Sequence, residues 1–400
     1  MNDIDPARFH RLFGTKRPRL AYHRGDFTDY LLMLVGCAVV LGIVYGRASW
    51  LAIVGYALCA FMLVAFPLRH GVSLRAPILL RRPQDILYML IYKLLNIRPM
   101  YLVAAGVFLL DQYLIARTPH LPHKSDLLRQ IAIGLFYAHL ALLTLYRTAI
   151  LITYLRRQDF VRAVLTDTSW KHVLARRPNM TLQILHAYGT GLLTHLILLG
   201  PWYFILTHCR YSIVTFPIVL AINFLVFRQY MRTYNSWFYR DHWLGHNSEL
   251  EFLYLHGTHH DAIPSGLIGV SGNGFLEGIL RHTVGNPMAF YGPLAAFLLY
   301  TFEVLTDINS HQYVPGIFPK MPRRFHEHAQ HSMHHYGALE PYGVGLRVDH
   351  PGGLFGKKWA SVLYPQELRT SYLLDVKLTG FVWENARHRR FLELFDKYQK

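Results

Sequence analysis

Three short stretches of this chain are crowded with imidazole. "DHWLGH" places His242 and His246 four residues apart, and "LHGTHH" holds His256, His259 and His260. "HEHAQHSMHH", residues 326–335, holds His331, His334 and His335, preceded at helical spacing by His328. A separate His311 sits in "DINSHQY". Residues three and four apart share one face of a helix, so each stretch predicts side chains that converge. Imidazole suits zinc, iron, copper and nickel, and eight box histidines with one or two extras supply two metals with about four or five ligands each. One such pair is ordinary on a solvated helix. Three in series predict shared ligation.

Other chemistries fit less well. Of three cysteines, Cys37 and Cys59 lie inside apolar runs and Cys209 stands alone, which leaves no disulfide framework and no thiolate metal site. His326-Glu327 begins like the zinc-protease motif HExxH, but Gln330 occupies the place of its second histidine. "HPGG" at 350–353 matches the haem-binding tetrapeptide of b-type cytochromes, yet it follows the last box with no room for that domain's preceding strands.

The elements that must position these histidines belong to a membrane protein. The 400 residues are 52% hydrophobic and 16% charged, outside the range of an ordinary soluble domain. The net charge of +17 is carried by Lys and Arg in blocks between apolar runs, a membrane pattern that argues against nucleic acid as a partner. Six stretches approach the roughly 20 apolar residues of a spanning helix: Tyr30 to Tyr45, Trp50 to Leu68, Met100 to Ala116, Ile131 to Tyr154, Leu182 to Leu206 and Tyr211 to Phe227. Basic residues crowd the segment before the first span and alternate loops thereafter. This predicts a cytoplasmic N-terminus and cytoplasmic histidine boxes. The N-terminus lacks the basic-then-apolar order of a cleavable signal.

The expected fold is therefore an all-α polytopic integral membrane protein with about six transmembrane helices. Residues 1–27 form a basic cytoplasmic segment, 28–230 the transmembrane region, 231–360 the histidine-box region and 361–400 a cytoplasmic tail. The apolar part of "QDILYMLIYKLLNI" is too short to span and is expected at the interface. The region 275–306, interrupted by Arg281, His282, Gly285 and Pro287, predicts a re-entrant or interfacial hairpin that keeps all the boxes on one face. Asp111, His139, His186 and His195 fall inside predicted spans, where ionisable groups are expensive. Each histidine is read as neutral and hydrogen-bonded to another helix, with His186 and His195 also candidates to line a substrate tunnel.

The boxes and their order resemble the fatty acid hydroxylase and sterol desaturase superfamily of integral membrane non-haem diiron enzymes. The family pattern of HxxxH, a nearby HxxHH, an isolated histidine after a hairpin and a final HxxHH falls on His242/His246, His256/His259/His260, His311 and His331/His334/His335. "IPSGL", "DINSHQYVPG" and "YGVGLRVDHPGGLFG" are similar to the segments around that pattern, and the likeness runs from Leu182 to Lys357. Relatives with a second histidine four residues after the isolated one have Pro315 here, so a tenth ligand is His328, His326 or His282, or is absent. Asn273 and Pro351-Gly352 depart from the pattern of sterol-acting members.

The resemblance implies two iron ions, with zinc able to substitute in purified protein, O2 as co-substrate, and an apolar substrate reaching the site from the membrane lipid. It implies hydroxylation of a lipid C–H bond, with desaturation as the alternative. From another class, a metal transporter or sensor is the competing reading. Asp241, Asp261, Glu277, Asp307 and Glu327 are candidates to orient ligand histidines through the second ring N–H. A separate reductase with ferredoxin or b-type cytochrome is the expected electron donor. Lys320, Arg323, Arg324, Lys357 and Lys358 are available to dock it or to meet anionic lipid. A bacterial cytoplasmic membrane is favoured over endoplasmic reticulum.

Overall fold

The computed structural model describes residues 27–87, 90, 99–118, 126–159, 161–162, 179–209, 215, 217–222, 224–225, 228, 242, 245, 249–261 and 293–311. Several expectations fall outside these residues: the N-terminal basic segment, most of the interfacial stretch after Asp85, the first half of the hairpin, the third histidine box and the C-terminal tail. The sixth expected span is described only in fragments.

Among the described residues every regular element is a helix. They are α1 (Phe27–Tyr45), α2 (Trp50–His70), the short α3 (Ile78–Arg81), α4 (Pro99–Arg117), α5 (Asp126–Arg156) and α6 (Met180–His208). The box region contributes α7 (Glu249–Glu251), a π-helical turn (Phe252–His256) and α8 (Gly257–Asp261), and α9 (Pro293–Ser310) follows. Helices α1, α2, α5 and α6 are long and apolar enough to cross a membrane. The chain is thus a largely helical, polytopic membrane protein. Helix α4 coincides with another apolar stretch expected to span.

The starts of α2 and α6 follow from capping. Ser49 Oγ accepts the Ala52 N–H at 3.2 Å, and Asn179 Oδ1 accepts the Leu182 N–H at 2.9 Å, each satisfying a donor the helix leaves open. Two faces of α1 show the environment. Tyr30, Met33, Leu34, Cys37 and Leu41 are buried, whereas Val35, Val39 and Ile43 lie along an exposed stripe. An apolar stripe of that kind suits lipid rather than water.

Helix α6 is the centre of the bundle, packing on α1, α2 and α5. Of its apolar stretch 78% is buried, against 28% for the stretch in α5. Gly55 favours the close approach of α1 and α2, since a Cβ there would stand 2.5 Å from the Leu41 Cδ1 and displace that side chain. Some polar side chains inside the bundle find partners on another helix. Arg69 of α2 donates to Gln183 Oε1 at 2.8 and 3.0 Å and contacts the His186 ring at 2.8 Å, while Tyr45 donates to the Leu196 carbonyl at 2.6 Å. Helix α9 packs on α5 and ends beside the histidines.

Candidate metal centre

The second box is held by α1 from far away in sequence. Asp29, buried in the first turn of α1, accepts the Ile78 N–H of α3 at 2.7 Å and a short hydrogen bond from the Tyr254 hydroxyl. The same hydroxyl accepts the Leu79 N–H at 3.1 Å. Burial, and then the hydrogen bond and charge of Asp29, push the Tyr254 phenol well above its ordinary range, so it remains a donor. Thr258 also reaches the Met33 sulfur at 3.6 Å. Two positions of α1 therefore hold the π-helical turn and α8. A π turn inserts one residue into a helical register and re-aims the side chains that follow, a geometry frequent at functional sites.

Five imidazoles meet there: His242, His256, His259, His260 and His311, all buried. His242, His256 and His260 each present a ring nitrogen within 4.8 Å of the others. The Nε2 atoms of His256 and His260 are 2.9 Å apart. His259 turns away from this trio to His311, the first residue after α9, and their Nε2 atoms are 3.1 Å apart. The two groups adjoin, with the His259 ring centroid 5.3 Å from that of His256 and 5.2 Å from that of His260. The single HxxHH box is thereby divided, two of its members going to one group and one to the other.

These separations fit metal ligation. Two nitrogens at roughly 2.1 Å from one ion and at a right angle to each other stand about 3.0 Å apart. The donor set is nitrogen only among the described members, and suits iron or zinc. His311 is prepared for such a role. Its Nδ1 lies 2.5 Å from the Asp307 carbonyl, which only accepts, so Nδ1 carries the proton and Nε2 keeps its lone pair facing His259. Burial, reinforced by the charge of Arg147 and opposed by the Asp307 hydrogen bond, lowers the His311 pKa to about 4. The ring is neutral at physiological pH.

Gly245 sets the gap between the first and second boxes. A Cβ at this position would lie 3.0 Å from Cγ and 3.1 Å from Cβ of His256, so glycine allows the His242 segment to close on the second box.

No family model matches the chain, and no solved structure matches it. Two curated relatives do: the very-long-chain aldehyde decarbonylase GL1-9 of Oryza sativa subsp. indica and that of subsp. japonica, each 30% identical over 141 residues. The match takes in 33% of this chain and 53% of each relative, so the chain spans about half the length of the curated relatives it matches. The chain is homologous to a histidine-box member of the fatty acid hydroxylase and sterol desaturase superfamily.

Of the residues that the superfamily pattern singles out, the structure brings together His242, His256, His259, His260 and His311. His246, His328, His331, His334 and His335 lie outside the described residues, as do the alternatives His282 and His326. Among the acids expected to orient ligands, Asp307 acts through its backbone carbonyl, its carboxylate Oδ1 standing farther off at 3.7 Å. Asp241, Glu277, Glu327 and the Asp261 side chain lie outside the description. His139 bonds Thr301 Oγ1 of α9 at 2.7 Å, as expected of a histidine between helices. His186 does the same with Arg69, and the buried His195 is among the residues lining a cavity between α2, α5 and α6. Three contributors escaped sequence reasoning: Asp29, Tyr254 and Gly245. An acid in the first turn of an apolar helix is the one signal that pointed to Asp29.

Proposed function

We propose that the chain is an O2-dependent diiron membrane oxygenase that hydroxylates a C–H bond of a lipid or other long apolar molecule. The observation that carries this reading is the division of the second box. His256 and His260 face His242, His259 faces His311, and two adjoining nitrogen groups result. His246, His331, His334 and His335, with His328 as a further donor, are proposed to complete the two ligand shells. An unactivated C–H bond offers no handle for acid–base chemistry, and bound iron would supply the oxidising capacity that no side chain has.

The chain's own residues do the rest. The buried imidazoles would hold the ions, and the neutral His311 ring adds no charge to a low-dielectric site. The Asp307 carbonyl keeps the His311 proton on Nδ1, and the Asp29–Tyr254 contact fixes the height of the second box against α1. Burial of all five rings limits water at the site, which protects reactive chemistry from side reactions.

The wider topology is part of the same proposal. Six spans with a re-entrant hairpin over 275–306 put the boxes at the cytoplasmic face of a bacterial membrane. Electrons then come from a separate reductase with ferredoxin or b-type cytochrome. Desaturation uses the same centre and the same first hydrogen abstraction. The name of the relatives favours a very-long-chain aliphatic substrate and adds an aldehyde as a second reading of the reacting group.

The test is metal content and iron spectroscopy on protein from iron-supplemented cells, comparing wild type with His260→Ala and His335→Ala. Two coupled irons per chain, lost in both variants, support the oxygenase. A single loosely held ion indifferent to both substitutions returns the boxes to the transporter or sensor class.

A further inference from the structure

Beyond α2 the chain does not at once enter another long helix. Gly71, at φ +79°, turns it out of α2, and residues 72–87, with the short α3, run past the end of the bundle where α1 begins. Hydrogen bonds hold the segment there. Thr28 of α1 donates to the Arg75 carbonyl, the Ile78 N–H reaches Asp29 at 2.7 Å, and the Leu79 N–H reaches the Tyr254 hydroxyl at 3.1 Å. Ile78 and Ile86 are buried, but the other large aliphatic side chains are not. Leu74 is 78% exposed and Leu80 71%, with Val72 and Leu87 also mostly open and Leu68, in the last turn of α2, 70% exposed beside them. Aliphatic surface of this extent marks a contact with lipid or with another chain. Its level decides between them. The segment is tied to the first turn of a helix suited to cross the membrane, which is where hydrocarbon gives way to headgroups.

The cations of the same segment fit that level. Arg82 is already paired, its Nε 2.6 Å from the Asp85 carboxylate. Arg75 and Arg81 are exposed, and neither forms an ion pair with a carboxylate among the described residues. The Arg81 Nε donates to the Ala76 carbonyl at 2.6 Å, which folds that side chain back to the residue next to Arg75 and leaves both terminal nitrogens able to donate. Two uncompensated guanidinium groups are thus set among exposed leucines. Leucine by itself accepts any lipid. A guanidinium selects, because its planar fork matches the oxygens of a phosphate.

We infer that residues 72–87 form an interfacial clamp for anionic phospholipid, in which Leu74 and Leu80 enter the acyl region and Arg75 and Arg81 hold the headgroup phosphate. A zwitterionic lipid also carries phosphate, but its own cation offsets the charge. An anionic headgroup keeps its net charge, and each basic residue beside it strengthens binding about five-fold. The clamp is joined to the candidate metal centre. Ile78 and Leu79 lie between the two arginines, and their N–H groups are the ones that meet Asp29 and Tyr254. Lipid that steadies the segment therefore steadies the π-helical turn that carries Tyr254 and His256, a coupling between two separate sites. The inference goes beyond the oxygenase reading and does not rest on it, since it needs only the membrane and these contacts.

The experiment uses the full chain in nanodiscs of phosphatidylcholine, alone or mixed with phosphatidylglycerol, and reads amide hydrogen exchange in peptides covering 72–87 and 252–261. Phosphatidylglycerol is expected to slow exchange in 72–87 about ten-fold, with a smaller slowing in 252–261. The Arg75→Gln/Arg81→Gln double variant loses both effects, and Arg75→Lys/Arg81→Lys keeps part of them. Arg47→Gln, an exposed cation between α1 and α2 at the other end of the bundle, leaves them unchanged. Leu74→Ser/Leu80→Ser speeds exchange in both lipids. Equal exchange in the two lipids, or a response to phosphatidylglycerol that survives in the double glutamine variant, overturns the inference. Equal slowing by soluble glycerol 3-phosphate in phosphatidylcholine discs makes this a site for a free anion and overturns the assignment to lipid. Slowing confined to 72–87 overturns the coupling to the second histidine box.

Discussion

The Nε2 atoms of His259 and His311 stand 3.1 Å apart although 52 residues separate them in the chain. His256 and His260, four residues apart, stand 2.9 Å apart in the neighbouring group. If each pair shares an ion, the groups respond separately to mutation. His311→Ala is expected to remove roughly half of the bound iron and the coupling between the two ions, leaving the trio loaded. Iron-to-protein ratios with magnetic spectroscopy check this, and loss of all iron in His311→Ala would contradict separate groups.

Gly245 is in contact with a ligand ring without being a ligand. Gly245→Ala places a methyl 3.0 Å from His256 Cγ, and that ring must yield by a few tenths of an ångström. Outer-contact changes of this kind cost roughly 10–100-fold in metal affinity. Competitive chelation should show the loss with the helical circular dichroism unchanged.

Asp29 is expected to behave as a structural support for the site. Asp29→Ala strands the Ile78 N–H and the Tyr254 hydroxyl, at about 1–3 kcal/mol for each buried group left unsatisfied. Tyr254→Phe removes one donor to Asp29 and strands only the part-buried Leu79 N–H, while the Ile78 N–H still reaches Asp29, and should cost less. Thermal unfolding in nanodiscs ranks the two, with Asp29→Ala the more damaging; the reverse order would sink this account of the anchor.

Metal removal should destabilise without unfolding the membrane helices. A ligand that binds only the folded state adds about 2.7 kcal/mol when present at 100 times its dissociation constant. Chelated protein is expected to melt earlier and to recover on addition of ferrous iron. In His260→Ala that recovery should be largely lost.

The clustering of His242, His256 and His260 was legible because metal ligation demands one residue type at helical spacing, and such spacing survives in a linear string. The apolar runs of α1, α2, α5 and α6 were legible for a similar reason, since a bilayer imposes length and composition on each helix separately. Even the reading of His139 as a histidine shared between helices followed from its lone position in an apolar run.

Other features depend on how separate segments meet. The chain by itself determined that imidazoles converge and that its long helices belong in lipid. Only the tertiary structure decided that His259 leaves its own box for His311, that Asp29 reaches Tyr254, that Gly245 touches His256 and that His195 is among the residues lining a cavity while His186 is held by Arg69. Periodicity fixes which residues share a face. It carries no information about which distant face lies opposite, because that is settled by close packing among helices far apart in sequence.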